Sequence, residues 1–269
     1  MSKRAATGGY DPSGIDLDAW TELEEQLEAT IPNYDRVNKL MTFGQDKRWR
    51  RNVRNHATKG MKVLEVGCGP GSFAEDLVGL DVTCLDPSDA MLKVAKKRVD
   101  GARASRGEAP AAYVQALAED IPLEDNSFDM VFCLFSFRDF QDKKKGLEEI
   151  YRVLKPGGQL VMCDAGKANY LHGLTGRIWM STVVQWMARW VTKTKDHPWK
   201  GLARSYTHYG TNKYYRNMMK EVGFQDVSGR LLSLLAYDHP PPDGTPQLIP
   251  QNLFVVRFFC HNCCQDGHP

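Results

Sequence analysis

A glycine turn flanked by two acidic residues is the stretch whose residue types and spacing could do chemistry. The apolar run at residues 63–66 predicts a buried parallel strand, and the glycines at 67, 69 and 71 predict a tight turn with room for a ligand against the main chain. Glu65 lies in the strand. Asp86 ends the next apolar run, where a carboxylate can accept hydrogen bonds from both hydroxyls of a ribose. Each acid alone also suits a solvated strand end, but together, in this order, they favour an adenosine-containing ligand.

This turn resembles the binding signature of a known class of enzymes. Its Gly-x-Gly-x-Gly spacing differs from the Gly-x-Gly-x-x-Gly of dinucleotide-binding turns. With Glu65 and Asp86 it looks like the signature of class I S-adenosylmethionine methyltransferases. Three further segments, between about residues 34 and 224, are similar to the ubiquinone/menaquinone C-methyltransferase family. They are Tyr-Asp-Arg-Val-Asn at 34–38 with Gly44 and Arg-Trp-Arg at 48–50, Ala-Glu-Asp-Ile-Pro at 118–122 with Asp-Asn-Ser-Phe-Asp at 125–129, and Arg-Val-Leu-Lys-Pro-Gly-Gly at 152–158.

The resemblance implies an α/β fold of the Rossmann-like, class I methyltransferase type. We expect a single seven-stranded, mostly parallel sheet with helices on both faces, N-terminal helices and a helical lid insertion. The residue pattern predicts helices at 15–30, 34–56 and 71–79, from Ser88 onward, and at 142–154 and 213–222. It predicts strands at 61–66, 82–86, 112–116, 128–135, 159–164, 226–235 and 253–259. The expected organisation is a disordered start (1–14), a methyltransferase domain (15–260) with a helical cap (15–58) and a lid (165–210), and a tail (261–269).

The resemblance also implies S-adenosyl-L-methionine as the cofactor. Residues at the turn and at neighbouring strand ends are the candidates for binding it: Tyr34, Glu65, Gly67, Gly69, Gly71, Asp86, Pro87, Ala118, Glu119 and Phe135. One position departs from the family, which usually has Asp or Asn where this chain has Leu117. Either Glu119 or Asp120 meets the adenine amine instead, or backbone N–H groups and apolar contacts hold the ring.

The tip of the strand at 128–135 holds the candidate catalytic residues, because open α/β sheets bind ligands at the carboxyl ends of their strands. Methylating a ring carbon requires a phenolic hydroxyl to lose its proton, so a base or a cation beside the phenolate is needed. Arg138 matches the family and is the candidate cation, while Asp139 replaces the family's Asn. Asp139 and His208 are candidate bases. A salt bridge to Arg138 is the structural alternative for Asp139, and a surface-loop position is the alternative for His208.

The leading hypothesis is an S-adenosylmethionine-dependent methyltransferase that methylates a carbon of a prenylated quinol or similar phenolic ring in quinone biosynthesis. Two alternatives remain open. One is an N- or O-methyltransferase acting on another small molecule or lipid. The other is a non-catalytic, cofactor-binding paralogue in a biosynthetic complex.

Composition restricts the partners and the compartment. The 269 residues carry 35 basic and 33 acidic side chains, and this balance excludes a general attraction to nucleic acid. The sequence contains no run of 18 apolar residues, so no membrane-spanning helix is expected. The seven cysteines lack the spacing of a disulfide framework, so we expect a cytoplasmic, reducing location. Tryptophans at 179, 186 and 190, with basic residues around them, suit a peripheral membrane contact by the lid. No metal is expected, since the Cys/His spacing at 260–268 fits no common site, and a homodimer is left open.

Overall fold

The computed structural model describes residues 9–167, 170–195, 197–233 and 252–259. Its strands are β1 (Tyr10–Asp11), β2 (Gly14–Ile15), β3 (Lys62–Val66), β4 (Asp81–Asp86), β5 (Ala112–Gln115), β6 (Phe128–Leu134), β7 (Leu154–Ala165), β8 (Gln225–Ser233) and β9 (Asn252–Phe259). Its helices are α1 (Leu17–Glu28), α2 (Tyr34–Met41), α3 (Asp46–Arg54), α4 (Asp89–Ala104), α5 (Lys143–Val153), α6 (Tyr170–Ser181), α7 (Val183–Thr192), α8 (Lys200–His208) and α9 (Asn212–Val222).

Five parallel strands form the centre of the sheet, in the order β5-β4-β3-β6-β7. The strand order reverses between β3 and β6, which is where open α/β sheets bind ligands. Strand β9 pairs antiparallel with β7, and β8 pairs antiparallel with β9. The predicted α/β fold with a parallel central sheet is therefore confirmed. Because residues 234–251 lie outside the described residues, the count of seven strands stays a prediction.

Side chains of the central strands alternate between two apolar cores, one on each face of the sheet. In β3, Val63 packs in one core with Trp49 of α3 and Val99 of α4, whereas Leu64 packs in the other with Leu147 of α5. All five are buried. Each fully buried Leu or Val contributes roughly 1.5–3 kcal/mol relative to an exposed position. The two cores thereby hold the strand ends, and the turns that follow them, in place.

The helix predicted at 71–79 does not form, and a single 3-10 turn at Ala74–Asp76 replaces it. Leu77 leaves the helical conformation (ψ 66°), and Gly79 (φ +73°) turns the chain towards β4. The short turn lets Phe73 pack edge-on against Phe132, with ring centroids 5.1 Å apart. The prediction was wrong because core packing and an early turn outweighed the local helical pattern.

The helical stretch predicted at 34–56 is two helices rather than one. Phe43 (φ +49°) and Gly44 (φ +75°) adopt left-handed conformations between α2 and α3, and the Gly44 N–H donates to the Lys39 carbonyl (2.7 Å). Glycine tolerates this conformation without steric cost and commonly ends a helix in this way. The break turns α3 so that Trp49, Arg50 and Val53 are buried.

The disorder predicted for residues 1–14 is wrong for residues 9–14, and residues 1–8 lie outside the described residues. Strands β1 and β2 form a short antiparallel hairpin. Asp11 Oδ1 closes its turn by accepting hydrogen bonds from the Ser13 and Gly14 N–H groups. Tyr10 and Ile15 are buried with Ala19 and Leu23 of α1. A polar, glycine-bearing segment is ordered here because α1 supplies the apolar surface that the segment lacks.

In its described residues, the predicted helical insertion at 165–210 contains three helices, α6, α7 and α8. Helix α7 buries Val184, Ala188 and Val191, while Trp186 and Trp190 on its other face are 66% and 63% exposed. The expected exposure of these two tryptophans is confirmed. Across the part of the chain that the structure describes, no helix combines the length and apolarity needed to span a bilayer.

Helix α4 begins as predicted, since Ser88 Oγ accepts a hydrogen bond from the Met91 N–H (3.1 Å) and caps it. The proline-rich link at 239–250 and the Cys/His-containing tail at 260–268 lie outside the described residues. Within the described residues, no cluster of three or more His, Cys, Asp or Glu side chains could hold a metal ion.

Candidate functional site

A cavity of about 250 Å³ opens at the carboxyl ends of β3, β4 and β6. Side chains from α1, α2, α3, α6 and α8 form its walls. Every predicted site residue lines it except Glu65, Gly71 and His208. The sheet therefore brings together residues that are more than a hundred positions apart in the sequence, such as Tyr34 and Asp139.

The glycine turn forms one end of the cavity. Gly69 (φ +52°) leaves its surface open, because a Cβ built there would meet only the Tyr34 hydroxyl, at 3.9 Å. Gly67 (φ +70°) has a different role, since its Cβ would lie 2.4 Å from the Ser136 Cβ. Gly67 thus allows β3 and the tip of β6 to approach each other, while Gly69 leaves space for a ligand.

Asp86 lies beside this turn, as predicted for an acid that holds a ribose. Its Oδ2 accepts a hydrogen bond from the Gly69 N–H (2.8 Å), and its Oδ1 accepts one from the Ser88 N–H (3.0 Å). Burial raises the pKa of Asp86 to about 6, against the lowering effect of these two amides. The amides orient the carboxylate, and each oxygen keeps a lone pair for another donor.

The neighbouring wall, formed by Leu117, Ala118 and Phe140, is apolar. Glu119 also lines the cavity, but its Oε1 accepts a hydrogen bond from the Asp142 N–H (2.9 Å) at the start of α5. Burial raises the pKa of Glu119. The geometry favours the second of the two options for an adenine at this position, namely apolar contact together with backbone groups.

The tip of β6 directs two ionisable side chains into the other end of the cavity. Phe135 has a left-handed backbone (φ +61°), and its N–H donates to the Cys163 carbonyl (2.7 Å). A non-glycine residue in this conformation is strained and requires support from its surroundings. A 3-10 turn at Phe137–Asp139 then follows and presents Arg138 and Asp139.

Arg138 is held by two carboxylates. Its Nη1 and its backbone N–H both donate to Asp164 at the end of β7, at 3.1 Å each. Its Nε lies 3.4 Å from Asp139 Oδ1. Burial acts to lower the pKa of Arg138, but Asp139 and Asp164 hold it above its ordinary value. The guanidinium is therefore charged and has a defined orientation.

Asp139 keeps part of its hydrogen-bonding capacity unused. Its Oδ1 is shielded from solvent and has no hydrogen-bond partner in the part of the chain that the structure describes. Burial raises its pKa to about 6, with Arg138 acting in the opposite direction and Ser205 also lowering it. An ionised, buried carboxylate with a free lone pair can accept a proton from a bound ligand.

Comparison with known proteins agrees with this geometry. The model of the ubiE/COQ5 methyltransferase family matches residues 21–234. The chain belongs to this family. It is 32% identical to a demethylmenaquinone methyltransferase of Renibacterium salmoninarum, over 79% of this chain and 87% of that protein. It is 33% identical to the ubiquinone/menaquinone biosynthesis C-methyltransferase UbiE of a Shewanella species, over 75% of this chain and 82% of that protein.

A solved structure shows the same fold at low sequence identity. The S-adenosylmethionine-dependent methyltransferase of Thermotoga maritima superposes with a TM-score of 0.58 at 21% identity, over 88% of this chain and 99% of that chain. As a ubiE/COQ5 methyltransferase, the chain is an enzyme that uses S-adenosyl-L-methionine.

The described residues of this methyltransferase fit that cofactor. Gly69 leaves open main chain, Asp86 offers carboxylate lone pairs, and Leu117 offers an apolar wall, which together suit an adenosine. Glu65 is 2% exposed, and its Oε2 has no partner among the described residues. This orphaned carboxylate oxygen suits a cationic ligand group near the turn.

Two predicted site residues lie elsewhere in the methyltransferase fold. A Cβ on Gly71 (φ +77°) would lie 2.8 Å from Val99 Cγ2 and 3.0 Å from Ala95 Cα, so Gly71 allows the turn to pack against α4. His208 ends α8, and its ring stacks on Tyr10 at 6.2 Å. Residues 202, 205 and 206 of α8 line the cavity at helical spacing, which directs position 208 away from it. These positions give Gly71 and His208 packing roles, and their candidacies for the cofactor and for the base stay predictions that the geometry does not favour.

Three residues that the sequence interpretation missed line the cavity or contact its lining: Arg50 and Ser205 line it, and Asp164 holds Arg138. Asp164 ends a predicted strand, so the rule that selected Asp86 could also have selected it. Arg50 follows the buried Trp49 in the Arg-Trp-Arg segment, and helical spacing from Asp46 places both on the inner face of α3. Ser205 had no comparable signal.

Proposed function

We propose that the enzyme transfers a methyl group from S-adenosyl-L-methionine to a ring carbon of a quinol or similar phenol that carries a prenyl chain. The observation that carries this proposal is that Arg138 and Asp139 share one cavity with Gly69 and Asp86, while Asp164 holds Arg138 from behind the cavity wall. The names of the two curated relatives support the substrate class, because both act in menaquinone biosynthesis.

The cofactor would occupy the end of the cavity formed by the glycine turn. Asp86 would accept hydrogen bonds from the ribose, Pro87, Leu117 and Ala118 would contact the adenine, and Tyr34 and Phe135 would lie towards the methionine end. When bound, S-adenosyl-L-methionine supplies a methyl group that its sulfonium already activates. The protein's main contribution is then alignment, which is worth on the order of 7–11 kcal/mol in the best model systems.

Asp139 would take the proton of the phenolic hydroxyl, which makes the ring carbon nucleophilic. Once that carbon carries the new methyl group, its own hydrogen would leave as a proton to solvent, which restores the aromatic ring. Because burial raises its pKa to about 6, the carboxylate is ionised at neutral pH and still binds a proton more readily than an exposed aspartate. Arg138 would stabilise the phenolate charge, since a guanidinium cannot itself act as the base. Asp164 would keep Arg138 in position through its 3.1 Å hydrogen bonds.

The domain would span residues 15–260 and be built on a seven-stranded class I methyltransferase sheet. Two helical segments of this domain would enclose the cofactor and the phenolic acceptor. Residues 15–58 would act as a cap, because Trp20 of α1 and Tyr34 of α2 line the cavity. Residues 165–210 would act as a lid, because Trp179 of α6 and Tyr206 of α8 line it from the other side. Their apolar side chains suit a prenyl chain. Amide hydrogen exchange with and without product cofactor would test this, with protection gained in both segments.

The exposed face of α7 supports peripheral contact of a cytoplasmic enzyme with a membrane. Trp186 and Trp190 lie on that face, and Arg189 and Lys193 are exposed beside them. Aromatic rings at the headgroup level and cations towards anionic lipid are typical of interfacial helices. Such contact would give the cavity access to a prenylated acceptor dissolved in the bilayer. The possible homodimer stays a prediction, which light scattering of the purified chain checks.

The decisive experiment incubates the full-length protein with ¹³C-methyl-labelled S-adenosyl-L-methionine and a panel of demethyl-quinols, phenols and amines. NMR of the product should place the label on a ring carbon, and Gly69→Arg should abolish both cofactor binding and turnover. A labelled methyl group on oxygen or nitrogen would contradict C-methylation and support the O- or N-methyltransferase alternative. Cofactor binding without turnover of any acceptor would support the non-catalytic alternative.

A further inference from the structure

A buried arginine in the cavity has no ionic partner among the residues that the structure describes. Arg50 of α3 lines the cavity and is 7% exposed. Its guanidinium forms no hydrogen bond or ion pair with any residue that the structure describes, and its Nε is shielded from solvent. Moving a guanidinium out of water without a partner is costly. The position therefore favours an anion that the described protein groups do not supply.

No acidic side chain of the described residues forms an ion pair with Arg50, although its charge also acts on Asp35 and Glu75. Asp46 lies one turn earlier on α3 and accepts a hydrogen bond from the Thr42 hydroxyl (3.3 Å), but it makes no ion pair with Arg50. Glu65 of β3 interacts with Arg50 electrostatically and also makes no ion pair with it. Its Oε2 is likewise orphaned, so the described residues leave a buried guanidinium nitrogen and a buried carboxyl oxygen without hydrogen-bond partners.

The other arginine of the cavity cannot take a ligand carboxylate as readily. Arg138 is occupied by Asp164 and Asp139, and a third carboxylate beside these two would be repelled. Arg50 also lies near Tyr34, whose hydroxyl is directed towards Gly69. Arg50 thus lies at the end of the cavity where the glycine turn lies, and Glu65, which does not line the cavity, precedes that turn in β3.

We propose that Arg50 binds the α-carboxylate of the cofactor and that Glu65 accepts a hydrogen bond from its α-ammonium. This rests on the cofactor assignment and extends it to the amino-acid end of the ligand. Adenosine carries no charge, whereas an α-amino carboxylate carries both charges one carbon apart and can satisfy both side chains. A planar, bidentate guanidinium is well matched to a carboxylate. Arg50 is then a specificity-determining residue that distinguishes the cofactor from thioether nucleosides lacking the amino acid.

Calorimetric titration of the full-length protein with three ligands tests this independently of turnover. The ligands are S-adenosylhomocysteine, S-adenosylmethionine without its carboxylate, and 5′-methylthioadenosine, which lacks the whole amino acid. Wild type should prefer S-adenosylhomocysteine to the decarboxylated ligand by about 30-fold or more, as expected for loss of one partner of a buried charge pair. In Arg50→Gln this preference should fall to a few-fold, and Arg50→Lys should restore part of it. Binding of 5′-methylthioadenosine should be the same in all three proteins, which also verifies that the variants fold.

Three outcomes would overturn the inference. In the first, Arg50→Gln retains the preference, which would place the carboxylate elsewhere. In the second, it weakens all three ligands equally, which would make Arg50 a shape-determining residue. In the third, wild type binds none of them, and the cofactor assignment itself fails. Binding by wild type without methylation of any quinol would contradict the proposed substrate and leave the Arg50 result intact.

Discussion

The two buried arginines of the cavity, Arg138 and Arg50, differ in how their charge is compensated. Arg138 follows β6 and pairs with Asp164 and Asp139 before any ligand arrives. Arg50 lies on α3 and pairs with no described residue. A paired guanidinium has a fixed position and is ready to stabilise developing charge. An unpaired one destabilises the free protein and gains its partner only when an anion binds.

The two ends of the cavity therefore differ in what neutralises their arginine: protein carboxylates at one end and, in the proposed assignment, a bound ligand at the other. The proposed acceptor end around Arg138 is preorganised by Asp164 of β7 and by the turn that follows β6. The proposed cofactor end around Arg50 would be completed by the ligand, so binding there should also stabilise the fold. Four predictions test or sharpen this distinction, from the largest expected effect to the smallest.

Asp139→Asn should affect the acceptor end alone. Removal of the proton acceptor should lower kcat by about 10²- to 10⁴-fold, while the affinity for S-adenosylhomocysteine changes less than threefold. Single-turnover kinetics and calorimetry measure the two quantities. A matched loss of affinity and turnover would mean that the two ends are not separate.

Arg138→Met should lower the free energy of unfolding of the ligand-free protein, whereas Arg50→Met should not. Arg138→Met leaves Asp164 buried with no cation and should destabilise by about 3–5 kcal/mol. Arg50→Met removes an unpaired buried charge and should be neutral or stabilising. Urea unfolding of the free proteins measures both. Equal destabilisation by the two substitutions would show that Arg50 is compensated after all.

Cofactor affinity should rise with pH between about 6 and 8. Burial raises the pKa of Glu65 to about 8, with Arg50 of α3 lowering it and Asp86 of β4 raising it. The carboxylate form is the one that accepts from an ammonium, so affinity should increase by up to tenfold per pH unit below 8 and then level off.

The same raised pKa makes the free protein lose stability as the pH rises from 4.5 through about 8, because the folded state binds the proton more tightly. Calorimetry in a pH series should show the change in affinity, and Glu65→Gln should remove it. Asp86 has a pKa of about 6, so its protonation should further lower the cofactor affinity in more acidic solution. If the affinity of Glu65→Gln changed with pH as it does in wild type, a group other than Glu65 would cause the pH dependence.

Trp186→Ser with Trp190→Ser should weaken binding to anionic lipid vesicles several-fold and leave turnover of a short-chain quinol unchanged. These side chains are exposed and do not line the cavity, so the effect should be confined to the membrane surface. Vesicle co-sedimentation measures it, with Tyr214→Ser of α9 as a matched exposed-aromatic control. Equal binding by wild type and both variants would argue against α7 as the contact.

The strand-turn-strand unit and its acids could be predicted from the sequence because their signals are local. An apolar run, glycines at fixed spacing and an acid at the next strand end specify Gly69 and Asp86 within a few residues. Ser88 caps α4 for the same reason. The predictions that failed also rested on local patterns, but contacts with distant residues decided the structure there. Residues 71–79 do not form a helix because Phe73 packs on Phe132, and residues 9–14 are ordered because they pack on α1.

The sequence by itself determined the family, the α/β alternation and the positions of the glycine turn, Asp86 and Arg138, since these depend on backbone conformation and strand order. Only the tertiary structure decided that Asp164 holds Arg138, that α8 turns His208 away from the cavity, and that Arg50 is buried without a partner among the described residues. Those facts depend on which segments meet across the sheet. Burial and pairing of a charge are properties of the three-dimensional contact and not of the residue type.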